Sequence, residues 1–283
     1  MALLEDFFAG RPENTKRAYY ADLEAFRLFV QARSAQEAIE GLLRGGYQHS
    51  QAEFARYQEH LLRSGKSCAT VARYLASVRS TLLLAERKGL ITWTPPVRPP
   101  FPPAYKDTSS GDPSRLERKL QEISESRSPI AVRDYAIVLL IGRMALRRGE
   151  VSALRIADLS LDHSELAVRR HDGRGPDAVP IEPEALESLR RWVELRGSWA
   201  GPLFTAARNE TLQRSPLSDR AIARALARYD LDSPRILRHL AITSYLERTG
   251  GDLSGAMELG RLRRSSTVRT YERNRQESDC RGS

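Results

Sequence analysis

Apolar residues recur at helical spacing through the first ninety residues. In "TKRAYYADLEAFRLFVQAR", Tyr19, Leu23, Phe26 and Val30 fall on one face, with Asn14 as the N-cap. "SQAEFARYQEHLLRS" starts a second pattern at Ser50 and aligns Phe54, Tyr57 and Leu61. "CATVARYLASVRSTLLLAERKG" aligns Val71, Leu75, Val78 and Leu82, and Gly89 ends it. Its other face presents Thr70, Arg73, Ser77 and Ser80. The pattern predicts a bundle of about four helices over residues 1–93.

Residues 94–110 open with "TPPVRPPFPPAY", which excludes both helix and central strand, because proline lacks the backbone donor and fixes φ. Patterned segments of domain size on both sides favour a semi-rigid linker over a proline-rich loop within one domain. Downstream, residues 111–283 mix periods. "PSRLERKLQEISES" and "SPIAVRDYAIVLLIGRMAL" read as helices, and a short strand follows near Leu159–Leu161. "ELAVRR", "HDGRGP" and "DAVPI" then read as strand, turn and strand, with Gly173 and Gly175 at the reversal. Helices are expected again at about 182–196, 217–230, 234–249, 252–260 and 265–275. The fold expectation is mostly α in two domains: a helical domain, then an α+β domain with a small antiparallel sheet.

Composition adds a partner class. The net charge is +9 and the pI about 9.8, which points to an anionic partner, most simply nucleic acid. No run approaches the ~18 apolar residues of a membrane span, so no membrane partner is expected. The start, "MALLEDFFAG", carries Glu5 and Asp6 and no early basic residue, unlike a secretory signal. Cys68 and Cys280 lie too far apart for a metal spacing, and His49, His60 and His163 show none either. A cytoplasmic setting is expected. Lysine occurs only at positions 16, 66, 88, 106 and 119.

Three basic stretches are candidates for chemistry. "ALRRGEVSALRIADL" sets Arg147 three residues before Glu150. "SPRILRHLAITSYL" puts Arg235 and Arg238 on one helical face, with His239 beside them. "LGRLRRSSTVRTYER" carries Arg261 and Tyr271. Each alone also fits a solvated basic face. Glu150 fits either a partner that orients Arg147 or an exposed glutamate at a helix start.

In this order and at these separations, the stretches resemble the catalytic domain of the tyrosine recombinases, the phage-integrase family. The family pattern is an arginine in G-L-R-x-x-E-L-x-x-L, a lysine in a β-hairpin, H-x-x-R-H, L-G-H, and a tyrosine about ten residues on. "PENTKRAYYADLEAFRLFV" and "SCATVARYLASVRSTLLLA" resemble the family's SAM-like core-binding domain, so the likeness spans nearly the whole chain. The resemblance implies site-specific DNA recombination by a clamp of two basic domains around double-stranded DNA. It implies a homo-oligomer, a dimer on a site and a tetramer in synapsis, and no cofactor or metal. Tyr271 would attack the scissile phosphate, and Arg147 and Arg238 would hold its oxygens, since guanidinium groups bind such oxygens in pairs. Lys16, Arg17, Lys66, Thr70, Arg73 and Ser77 would meet DNA from the first domain.

The chain departs from that pattern at three places. Arg235 and Arg261 stand where histidines are expected; both keep a phosphate donor and lose a group that titrates near neutrality. The hairpin lysine, which protonates the leaving 5′-oxygen in the family, is absent. "RRHDGRGPDAVPI" offers His171 and Arg174 in its place; His171, Arg174 and neither remain equal alternatives for the leaving-group acid. His239 reads as a packed, supporting histidine. The alternative function is a catalytically impaired relative acting as an accessory, sequence-specific DNA-binding protein.

Overall fold

A computed structural model describes residues 3–94, 112–169, 175–208 and 211–262. The chain divides into two compact units, Met1–Lys106 and Asp107–Ser283. Most of the proline-rich stretch, residues 95–111, lies outside the described residues.

The first unit is helical: α1 (Leu3–Phe8), α2 (Glu13–Phe29), α3 (Ala35–Arg63) and α4 (Cys68–Arg87). Leu23, Phe26, Phe54, Tyr57, Leu61, Val71, Leu75, Val78 and Leu82 are all buried in one core. The rings of Phe26 and Tyr57 meet edge to face at 5.1 Å. Gly89 ends α4 in the left-handed conformation, at φ 69°. Two expected helix starts move. Helix α2 begins at Glu13 behind Pro12, so Asn14 is not its N-cap. Ser50 lies inside α3, which bends at Gly46 (φ 73°), and the Ser50 hydroxyl donates to the Leu42 carbonyl across that bend at 2.9 Å.

The expected DNA face of α4 needs one correction. Ser77 is fully buried, and its hydroxyl donates at 2.6 Å to Asp22, a buried carboxylate of α2, so it cannot meet DNA. Arg73 also donates to Asp22 while keeping half its side chain exposed. A buried carboxylate needs such partners, because its desolvation is otherwise uncompensated. Arg73→Ala is therefore expected to destabilise this unit by about 2 kcal/mol. Exposed Lys66→Ala should stay within about 0.5 kcal/mol of the wild type. Urea midpoints of the full chain compare the two.

The second unit is α+β. Helices α5 (Pro113–Ser124), α6 (Pro129–Gly142) and α7 (Arg148–Ala153) precede a three-stranded antiparallel sheet of β1 (Leu159–Ser160), β2 (Glu165–Val168) and β3 (Asp177–Pro180). Leu166 pairs with Leu159 on one side and Val179 on the other. Then come α8 (Pro183–Arg196), a hairpin of β4 (Thr205–Arg208) and β5 (Thr211–Pro216), α9 (Asp219–Arg228), α10 (Pro234–Arg248) and α11 (Leu253–Leu259). That hairpin was not expected. Its β5 strand is mostly exposed and its β4 strand mostly half-buried, so neither carries a clear apolar alternation.

Helix α6 runs through the core, apolar all round except for buried Arg133 and Asp134. Arg133 donates from Nε and Nη2 to Asp134 and from Nη1 to the Thr205 carbonyl at 2.9 Å. Arg228 closes the second carboxylate oxygen at 2.7 Å, tying α6 to β4 and α9. A smaller apolar cluster of Ala145, Ala241, Ile242, Leu246 and Ala256 packs the α6–α7 turn against α10 and α11. This cluster is the floor beneath the basic site.

Candidate active site

The first arginine is placed by a turn. Helix α6 stops at Gly142, and the chain reverses through Ala145, a non-glycine residue at φ 53°. Arg147 then stands at the N-cap of α7, and its backbone N–H donates to Glu150 Oε2 at 2.7 Å. The side chains of the same two residues join, Arg147 Nη1 to Glu150 Oε1, at 2.6 Å. The Glu150 side chain is only 7% exposed, so it is not an exposed glutamate at a helix start, and it bonds Arg147 directly.

The second arginine comes from α10, which starts at Ser233 with its hydroxyl accepting from the Ile236 N–H. Arg235 lies on the exposed first turn. Arg238, one turn on, is nearly buried and donates to the carbonyls of Ala145 and Gly260. His239 is buried beside it, as expected of a packed histidine.

The third arginine follows α11. Gly260 caps that helix, and Arg261 takes φ 45°. Arg147 Nη2 donates to the carbonyls of Gly260, at 3.4 Å, and of Arg261, at 3.1 Å. The Gly260 carbonyl thus accepts from both Arg147 and Arg238, which sets two guanidinium groups side by side. Arg261 Nη2 donates to the Ala145 carbonyl at 2.9 Å and to Glu150 Oε2 at 2.8 Å. Burial pushes the Glu150 carboxyl up, but Arg261 and the hydrogen bonds from Arg147 outweigh it and hold the group below its ordinary value. Glu150 is therefore ionised at neutral pH. Two guanidinium groups, those of Arg147 and Arg261, bond that one carboxylate, and Arg238 adds a third beside them, so the cluster keeps an excess of positive charge for an anion.

Helix α9 packs against α7: the Ser152 hydroxyl donates to Asp219 at 2.5 Å, and Arg148 lies 3.6 Å from the same carboxylate. The outer face of α9 carries Arg220, Arg224 and Arg228, all exposed. The sequence reading missed this row, although arginine at every fourth position of "DRAIARALAR" signals it. Tyr271, His171 and Arg174 lie outside the described residues, as does the helix expected over 265–275. Among the described residues, no group of histidine, cysteine, aspartate and glutamate side chains could hold a metal ion. No described helix is long and apolar enough to cross a membrane.

The sequence profile of the phage integrase family matches residues 113–278, a span that takes in Arg147, Arg238, Arg261 and Tyr271. The chain belongs to that family. A tyrosine recombinase of Synechococcus elongatus is 30% identical over 97% of this chain and 88% of its own length. The tyrosine recombinase XerC of Neisseria meningitidis serogroup C is 30% identical over 93% of this chain and 86% of its own. A crystal structure of a lambda integrase dimer bound to a core site shares the fold, with a TM-score of 0.66 at 18% identity over 95% of this chain and 94% of that one. The likeness runs through both units of the recombinase, so the mostly helical, two-domain expectation holds. The chain is a site-specific tyrosine recombinase.

Proposed function

We propose that this recombinase cuts and rejoins double-stranded DNA through a covalent bond to Tyr271. The observation that carries the reading is the convergence of Arg147 and Arg238 on the Gly260 carbonyl, in a cluster with excess positive charge. Two guanidinium groups so placed suit the two non-bridging oxygens of one phosphodiester. They offer most where negative charge grows, as the phosphorus becomes five-coordinate. Arg235, exposed at the start of α10, is a further donor to the same phosphate.

The reaction balances without a cofactor. The Tyr271 phenol gives up its proton to solvent as its oxygen attacks the scissile phosphorus, a 3′-phosphotyrosyl bond forms, and the bond to the 5′-oxygen breaks. The leaving oxygen takes a proton, with His171 and Arg174 as the candidate sources. The 5′-hydroxyl of a second cut strand then attacks the phosphotyrosyl bond and frees Tyr271. Exchange between two duplexes cuts four strands, so one tyrosine per strand calls for four copies: a dimer on each site and a tetramer in synapsis. The dimeric lambda integrase complex supports that assembly. A cytoplasmic setting suits the activity.

Lys16, Arg17, Lys66, Thr70 and Arg73 of the first unit are proposed DNA contacts, as are Arg220 and Arg224 of α9. Replacing Arg220 and Arg224 together by glutamine should flatten the plot of log affinity against log salt by about 2 units of slope. Fluorescence anisotropy over a salt series measures it; an unchanged slope would remove α9 from the interface. The function itself is tested by denaturing gels of protein mixed with a nicked duplex carrying a candidate site. A covalent adduct is expected with EDTA present.

A further inference from the structure

Arg261 stands where the family pattern has a histidine, and its guanidinium is turned into the protein. Its side chain is 10% exposed, against 38% for Arg147. Nη2 donates to both Glu150 Oε2 and the Ala145 carbonyl, at 2.8 and 2.9 Å, and Nη1 donates to the Leu259 carbonyl at 3.0 Å. Nε is buried with no hydrogen-bond partner among the described residues. Glu150 in turn divides its carboxylate between two arginines: Oε1 accepts from Arg147 Nη1, and Oε2 accepts from Arg261 Nη2 and the Arg147 N–H.

We propose that Arg261 is a positioning residue, fixing the Glu150 carboxylate and, through it, the Arg147 guanidinium that meets the scissile phosphate. Reaching the phosphate itself would cost Arg261 a buried ion pair and leave the Ala145 carbonyl and Glu150 short of a donor, an unfavourable exchange in a dry site. Arg147 also bonds Glu150 and two carbonyls, but its side chain is 38% exposed, so it can meet a phosphate from its open side without giving those bonds up. The backbone agrees: Arg261 holds φ 45°, a sparsely populated conformation for a residue with a Cβ, in the turn whose carbonyls receive Arg147. The residue type agrees as well. Five donors in a fork let arginine bind a carboxylate and two carbonyls at once, whereas an imidazole has two nitrogens.

This inference rests on the reading that Arg147 clamps the scissile phosphate. It carries a pH signature. The charged groups facing Glu150 are Arg147 at the start of α7 and Arg261 after α11, with Arg238 of α10 linked to them through the Ala145 and Gly260 carbonyls. Remove Arg261, and burial is opposed chiefly by Arg147, so the carboxyl rises. A protonated Glu150 releases Arg147. Activity then falls as the pH drops through the raised value, a limb that Glu150 does not impose on the wild type.

The test follows single-turnover adduct formation on the nicked duplex across roughly pH 5–8 for the wild type, Arg261→Met, Glu150→Gln and the double variant. Arg261→Met should be about 100-fold slower and slow further towards acid. The double variant should be no slower than Glu150→Gln alone and should lose the acid limb. Should Arg261→Met melt, Arg261→Gln keeps a donor towards Glu150 and should show the same limb. A flat profile for the Arg261 variants, with losses that multiply in the double variant, would overturn the inference and make Arg261 a phosphate ligand. An absent wild-type adduct would instead remove the function, and the inference with it.

Discussion

Arg238→Ala is expected to slow formation of the Tyr271–DNA adduct by about 1000-fold, the effect of removing a preorganised donor from a developing negative charge. The proposed clamp rests on how Arg238 is held. That residue is nearly buried, and the carbonyls of Ala145 and Gly260 fix its guanidinium beside that of Arg147. The alanine variant also strips both carbonyls of a donor, at about 1–3 kcal/mol of stability, so rate and melting temperature must be read together. Arg238→Lys separates the two effects. It keeps a charge and loses the fork, so its rate should fall about 100-fold with the fold retained. Single-turnover gels beside a thermal melt give both readings; a lysine variant that cuts at the wild-type rate would take Arg238 out of the clamp.

Tyr271→Phe should abolish the adduct while leaving DNA affinity within about two-fold, since one hydroxyl at a wide, charge-driven interface contributes little to binding. A phenol titrates near 10 in water and attacks poorly at neutral pH. In the proposed reaction, guanidinium groups beside the phosphate would stabilise the negative charge as the phenol oxygen attacks. Loss of adduct at unchanged affinity separates a lost nucleophile from a lost site.

The sequence carried the apolar faces of the first unit well, because Leu23, Phe26, Val71, Leu75 and Val78 repeat at helical spacing and all pack inward. Ser77 was illegible for a tertiary reason. Its burial depends on Asp22, a carboxylate from another helix, and nothing in α4 alone announces that partner. The β4–β5 hairpin escaped because its short strands, rich in alanine, arginine and threonine, leave no period-two pattern of large apolar residues. In the candidate site, order and spacing singled out Arg147, Arg238 and Arg261, which the fold brings together, but not which way each points. The direction of Arg261 is set by Glu150 and by two backbone carbonyls, and a carbonyl has no letter of its own in the sequence.

Mass spectrometry of the residue left attached to DNA, after the wild-type adduct is digested with protease and nuclease, tests the linkage most directly. The expected result is a peptide containing Tyr271 that carries a nucleotide through its 3′-phosphate. Attachment at any other residue, or tight DNA binding with no adduct at any pH, would contradict it and favour a protein that binds its site without cutting.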